Sequence, residues 1–213
     1  MNNFFNPDTP LMRFLSAMGD LIIANLLFLI CALPVITIGP ALSAVSKVMY
    51  ELSEHTCDNV PKTFFAAFKV NFKAALTVWS VAIVCFALLA VHLFLITSIK
   101  TGLLQTALCC IWVFVLLFLT AILSYLFPLI SRYENTLAQH LQNAIFLSVG
   151  RFPRTLLMVL LNMFPIILFV LAPAVFFYLI PFWILIGFAC VFRLDMLILK
   201  PLFKQLDQLS HTS

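Results

Sequence analysis

Long apolar stretches alternate with short polar ones along the whole chain. The longest apolar stretch runs from Thr155 through Phe192 and contains no Lys, Arg, Asp, Glu or His. As one helix it would measure roughly 57 Å at about 1.5 Å per residue, nearly twice the hydrocarbon thickness of a bilayer, about 30 Å. Pro173 and Pro181 lie near its middle, where a missing amide donor ends a helix. The pattern therefore predicts two membrane spans joined as a hairpin.

Three earlier apolar stretches are each long enough to cross a membrane: 21–38, 74–99 and 103–130. Stretches with apolar residues on one helical face predict amphipathic helices at the membrane surface, over 11–22, 41–52 and 135–149. A turn is expected at 100–102. The predicted fold is an all-α, polytopic membrane helical bundle of about five transmembrane helices plus interfacial helices. It forms a single integral membrane domain over residues 1–213.

Composition supports this class. Hydrophobic residues make up 64% of the chain and charged residues 9%, against about 45–50% and about 25% in soluble proteins. There is no basic run of the kind that binds nucleic acid, so we expect membrane lipids and no nucleic acid as partners. The six cysteines form no C-x-x-C pair, and we interpret them as reduced packing residues.

The basic residues predict the orientation of the bundle. With five spans, one side collects ten of the twelve Lys and Arg residues, and only Arg13 and Lys100 remain for the other. Because cytoplasmic loops are enriched in Lys and Arg, the basic side is predicted to face the cytoplasm and the N-terminus to lie outside. We expect a multi-pass protein of the cytoplasmic (inner) membrane.

Three alternatives remain open at this level. Breaks at Pro34 and Gly39-Pro40 would turn the first span into a re-entrant hairpin and return the N-terminus to the basic side. We favour a full crossing because re-entrant segments are rarer. Residues 21–44 also resemble a cleavable signal peptide, although the residues before them are poorly basic. Finally, amphipathic entries followed by paired spans suggest a possible internal repeat of 62–130 and 141–200.

Several motifs resemble one family. They are Phe4-Phe5-Asn6, Pro10 to Leu15, Leu33 to Ala44, Phe65 to Lys73, Phe127-Pro128-Leu129, Arg132 to Asn135 and Arg151 to Thr155. This pattern resembles the YesL-like family of bacterial integral membrane proteins, a domain of unknown function. Members of that family are membrane proteins of about this length, and their genes often lie beside those of carbohydrate ABC importers and two-component regulators. The resemblance implies the same for this protein. It implies no catalytic residues.

The sequence contains no Walker A loop, dinucleotide turn, H-E-x-x-H or G-x-S-x-G motif. We therefore expect no catalytic activity, cofactor or metal. The predicted function is an accessory or interaction partner of a carbohydrate ABC importer or its sensor kinase. The alternative is a small transporter or channel with its pathway at the broken helix 34–40, where Pro34, Thr37 and Gly39 would expose free backbone groups.

Ionisable and amide side chains inside apolar segments are the other candidates for function. Arg193 and Asp195 interrupt the last span, and each needs its own partner because residues two apart on a helix point in different directions. Asp195 could pair with Lys73 or Arg154, and Arg193 with Glu134. Buried amides Asn25 and Asn162 are expected to bond between helices.

The cytoplasmic face built by 41–73 and 132–154 is the predicted docking surface, since it combines amphipathic helices with most of the loop charge. Its candidate residues are Lys62, Lys69, Lys73, Arg132, Glu134, Arg151 and Arg154.

Overall fold

The first helix of the bundle begins well before the apolar stretch that was predicted to cross the membrane. The computed structural model describes residues 9–98 and 102–211, so the turn predicted at 100–102 and the motif at residues 4–6 lie outside or only at the edge of the described chain. Helix α1 spans Pro10–Ala32 without interruption, so the predicted surface helix and first span are one element. Pro10 occupies its first turn, where a missing amide hydrogen costs nothing.

A sharp break then reverses the chain. A 3₁₀ turn covers Val35–Thr37, and helix α2 runs back over Ile38–Glu54. The start of α1 and the end of α2 line one surface cavity, which Met12 and Arg13 share with Leu52 and His55. The two helices therefore form a hairpin whose ends lie together.

Helix α2 corrects the prediction of an interfacial helix over 41–52. Ten of its 17 residues are buried, and it packs against α1, against the next two helices along the chain and against the last one. Small residues such as Ala41, Ser43 and Ala44 are fully buried, which allows close approach from several sides. The helix lies at the centre of the bundle.

The next two helices form a long antiparallel pair. Helix α3 spans Val60–Ser98 and helix α4 spans Gly102–Arg132. At about 1.5 Å per residue, the 39 residues of α3 measure roughly 58 Å, well beyond the bilayer core. The segment that carries Lys62, Lys69 and Lys73 is thus the N-terminal part of a helix that continues into the membrane.

Helix α5, Leu137–Gly150, confirms the predicted amphipathic connection. The Thr136 hydroxyl oxygen caps it by accepting a hydrogen bond from the Gln139 backbone amide, and the Gln139 side-chain oxygen accepts one from the Thr136 backbone amide, which completes a capping box. His140, Ala144 and Ser148 are buried on one face.

The predicted hairpin at the end of the chain is confirmed, with its breaks near both prolines. Helix α6 spans Phe152–Leu171 and stops just before Pro173. The return begins with short helices α7, Pro173–Tyr178, and α8, Ile180–Phe182, and a π-helical turn over Trp183–Gly187, and ends in α9, Phe188–His211.

Six segments of the described chain, not five, are long and apolar enough to cross a membrane. They are Pro10–Ala32, Val35–Glu54, Val60–Ile96, Gly102–Arg132, Phe152–Leu171 and Ile180–Gln208. The protein is an all-α multi-pass membrane bundle. The additional segment is α2, and the hairpin places the start of α1 at the His55 end of the bundle. The favoured full crossing predicted the opposite end, whereas the re-entrant alternative predicted this one. The possible repeat of 62–130 and 141–200 stays a prediction.

Candidate functional site

An open polar cavity of about 550 Å³ lies where α2 ends, α3 begins and α4 ends. We call it the basic-end cavity. Its charged lining residues are Lys47, Glu51, Asp58, Lys62, Arg132 and Glu134. It therefore unites Lys62, Arg132 and Glu134 of the predicted docking face. Lys69, Lys73, Arg151 and Arg154 do not line it.

Arg132 fixes one wall of this cavity. Its guanidinium lies 4.0 Å from the centre of the Tyr50 ring and forms an ion pair with Asp207. The Tyr133 hydroxyl donates to the other Asp207 oxygen at 2.9 Å. Burial, together with this hydrogen bond, raises the pKa of Tyr133 to about 12, so Tyr133 stays a neutral donor at physiological pH. These contacts bind the end of α9 to the end of α4.

A second set of ion pairs ties α9 to the end of α2. The Lys200 amino group lies 3.0 Å from Glu54 and donates to the Ser53 carbonyl at 2.6 Å. Lys204 lies 3.5 Å from the same carboxylate. The sequence indicated neither Glu54 nor Asp207 as important, because ion pairs between distant segments leave no local pattern.

Two predicted docking residues lie on the α6 side of the same end. Arg151 donates to the side-chain carbonyl of Gln205 at 2.8 Å. Arg154 has a buried guanidinium nitrogen that finds no hydrogen-bond partner among the described residues. Lys69 and Lys73 are exposed on α3.

The suggested partners of Arg193 and Asp195 are wrong. Arg193 lies in the cavity shared by the ends of α1 and α2, opposite Asp20. Asp195 accepts a hydrogen bond from Asn162 at 2.7 Å. Both residues of this pair were candidates from the sequence, but their pairing depends on how α6 packs against α9.

The Asn162–Asp195 pair borders a partly open cavity between α2, α3, α4, α6 and α9. This central cavity has a volume of about 230 Å³. Asn162 also donates to the Met158 carbonyl at 2.9 Å. Asp195 is 5% exposed, and one of its carboxylate oxygens has no partner in the described chain.

Asn25 has a different role from Asn162. Its amide nitrogen donates to the carbonyls of Trp183 and Ile184, and its oxygen accepts from the Ala189 amide. Because a π-helical turn leaves backbone groups without their usual partners, Asn25 stabilises this irregular segment. It is a structural residue.

The break between α1 and α2 satisfies its own polar groups. The Thr37 hydroxyl lies 2.6 Å from the Cys31 carbonyl and 2.7 Å from that of Pro34. The Trp79 indole donates to the Val35 carbonyl at 2.7 Å. A β-carbon on Gly39 would lie 2.5 Å from the Ala75 carbonyl, so the helices touch there. These contacts hold the turn in place and pack Gly39 against α3, whereas Pro34, Val35 and Ile36 are exposed.

Within residues 9–98 and 102–211, no three His, Cys, Asp or Glu side chains are placed to hold a metal ion.

In comparisons with known proteins, the model of a family described as "Protein of unknown function, DUF624" matches residues 21–93. No curated protein matches the chain, and no solved structure does. The stretch from the second half of α1 through most of α3 is therefore similar to a family whose function is unknown.

Proposed function

We propose that this protein is a non-catalytic accessory subunit of a bacterial inner-membrane complex, and that it docks on its partner through the basic-end cavity. One observation supports the proposal: the cavity carries charges of both signs at its rim, and ion pairs between the surrounding helix ends hold its walls in place. Lys62 and Glu134 are exposed at its rim, and neither side chain forms an ion pair within the described chain. Charges of both signs that lack internal partners suit a polar partner segment of complementary charge.

The frame around these charges is rigid. Arg132, Asp207, Glu54 and Lys200 join the ends of three helices through ion pairs. A surface that is ordered before binding loses less entropy on association. This rigidity distinguishes the cavity from a loop surface and supports a docking role.

The resemblance to the YesL-like family suggests the partner. Genes of that family lie beside carbohydrate ABC importers and two-component regulators, so we propose a membrane subunit of such an importer, or its sensor kinase. The excess of Lys and Arg at this end of the bundle supports a cytoplasmic location for the cavity.

Co-purification tests the proposal. The tagged protein would be isolated in a mild detergent from native membranes of cells grown on an inducing sugar, and importer and kinase subunits quantified. The double variant Lys62→Glu, Glu134→Lys reverses both rim charges. Lys69→Glu is the matched control, since Lys69 is exposed on the same helix outside the cavity.

We expect an importer or kinase subunit with the wild type and with Lys69→Glu, and about tenfold less with the double variant, which corresponds to about 1.4 kcal/mol. The proposal is wrong if no such subunit accompanies the wild type. Equal loss in both variants would also contradict it, since the interaction would then not depend on the rim charges of the basic-end cavity in particular.

A further inference from the structure

The central cavity contains an acid that the docking function does not use. Asp195 lies in a membrane-spanning helix, is 5% exposed, and has one oxygen paired with Asn162 and the other unpaired. A buried polar group that makes no hydrogen bond destabilises the folded state, and more so when it is charged. Acids inside membrane spans that lack a partner commonly mark a site for an ion or a proton.

No cation of the described chain neutralises this acid. The ion pairs of the bundle involve Glu51, Glu54 and Asp207, all at the basic end. Arg193, two residues from Asp195, lines a different cavity together with Asp20. In the described chain Asp195 is therefore neutral when it is protonated, and its ionised form can be balanced only by a cation that occupies the central cavity.

The other polar groups of the cavity are arranged to accept hydrogen bonds. Three hydroxyls line it, and each donates to a carbonyl of its own helix: Ser46 to Leu42, Thr120 to Leu116 and Ser124 to Thr120. The hydroxyl oxygens keep lone pairs available.

The N–H groups of the residues that line the cavity already donate hydrogen bonds within the protein. Asn162 directs its amide hydrogens to Asp195 and the Met158 carbonyl, and Trp79 donates to the Val35 carbonyl. The cavity thus presents acceptors and a carboxylate, and it suits an occupant that donates hydrogen bonds or carries positive charge.

Aromatic rings form much of the remaining wall. The Trp79 ring lies between Phe86 and Phe127, with ring centres 6.4 and 6.2 Å away, and Phe192 contributes from α9. Aromatic faces attract organic cations. The volume of about 230 Å³ is that of roughly seven waters at about 30 Å³ each. That space suits a small organic ion better than a bare metal ion, which needs oxygen ligands within about 2.6 Å on several sides.

We propose that the central cavity binds a small primary alkylammonium ion, whose head group pairs with Asp195 and donates to the hydroxyls while its alkyl chain lies against Trp79 and Phe86. The site is independent of the basic-end cavity, so its test does not depend on finding a protein partner.

Binding is tested with the full chain in nanodiscs of uncharged lipid. Propylammonium chloride would be titrated by calorimetry at constant ionic strength, beside 1-propanol, a neutral molecule of similar size, and sodium chloride. The Asp195→Asn variant removes the charge with little change of shape. Asp20→Asn is the matched control, since it makes the same change in another membrane-spanning helix. Phe86→Leu removes an aromatic face but keeps an apolar side chain.

We expect saturable binding of propylammonium but not of propanol, at least tenfold weaker in Asp195→Asn, within twofold of wild type in Asp20→Asn, and several-fold weaker in Phe86→Leu. If Asp195→Asn does not fold, the Phe86→Leu result and the propanol comparison decide. Absence of saturable binding to the wild type overturns the proposal, as does unchanged affinity in Asp195→Asn or Phe86→Leu. Displacement by sodium at equal or lower concentration overturns the ammonium assignment in favour of a metal ion.

Discussion

Asn25 and Ala189 are 164 positions apart in sequence, yet the side-chain oxygen of Asn25 accepts a hydrogen bond from the Ala189 amide at 2.8 Å. The same side chain donates to two carbonyls on the π-helical turn that precedes α9. One amide in α1 therefore serves three backbone groups of the last span. This contact joins the first span to the last and closes the bundle.

Replacing Asn25 should destabilise the bundle markedly. The Asn25→Leu variant leaves three backbone groups without partners, each costing roughly 1–3 kcal/mol. We expect a clear fall in the thermal midpoint in detergent. Asn143→Leu is the control, because Asn143 is exposed on α5, and it should change the midpoint little. Equal midpoints for the two variants would show that Asn25 is not a structural anchor.

Two glycines should respond oppositely to alanine. A β-carbon at Gly39 would lie 2.4 Å from the Trp79 β-carbon, whereas one at Gly19 meets nothing within 4 Å. Gly39→Ala should cost about 1–3 kcal/mol through overpacking, and Gly19→Ala should stabilise α1 by about 0.5–1 kcal/mol. Thermal unfolding of both variants tests the closeness of α2 and α3, and a neutral Gly39→Ala would contradict it.

Arg132→Lys should weaken the basic end although the charge is kept. The planar guanidinium lies over Tyr50 and pairs with Asp207, and a lysine cannot do both with the same geometry. We expect a loss of about 1–2 kcal/mol in unfolding free energy. Lys204→Arg, at an exposed ion pair, should have almost no effect. An unchanged unfolding free energy in Arg132→Lys would mean that the stacking of Arg132 on Tyr50 contributes little to stability.

The stability of α5 should depend on pH through His140. Burial lowers the pKa of His140, so the folded protein holds the ring neutral while the unfolded chain binds the proton more readily. Stability is therefore full above the ordinary histidine pKa of about 6.5 and declines as pH falls below it. Melting curves between pH 8 and 5 should show this decline, and His140→Gln should reduce it. His55→Asn, at an exposed position, should leave it unchanged.

Elements with local signals were predictable from the sequence. Pro173 and Pro181 predicted the breaks in the last hairpin, and the amphipathic pattern before Gly150 predicted α5. In both cases the decisive groups are neighbours along the chain: a missing amide donor, or the reciprocal bonds of Thr136 and Gln139.

Helix α2 was misassigned because its pattern has two interpretations. Apolar and polar faces predict a helix at the membrane surface. In α2, however, neighbouring helices cover Ser43 and Ser46 on the polar face, and the larger polar residues that follow lie half-buried toward the basic end. Ser46 satisfies its hydroxyl on the Leu42 carbonyl, so it needs no water. Sequence alone does not separate a face covered by water from a face covered by helices.

The sequence identified several candidate residues, but it did not predict which of them contact one another. Asp195 and Asn162 were singled out because polar groups are rare in apolar segments, and the structure brings them into contact. Glu54, Lys200 and Lys204 meet only through the packing of α2 on α9. No spacing along the chain indicates that contact.

Cysteine labelling shows on which side of the membrane the two ends of the α1–α2 hairpin lie. Single cysteines at Ser16, Asp58 and Thr106, all exposed, would be introduced into a cysteine-free chain and labelled in intact cells with an impermeant maleimide. We predict that Ser16→Cys and Asp58→Cys react only after the membrane is opened, whereas Thr106→Cys reacts in intact cells. Labelling of Ser16→Cys from outside, with Asp58→Cys protected, would contradict the six-span hairpin.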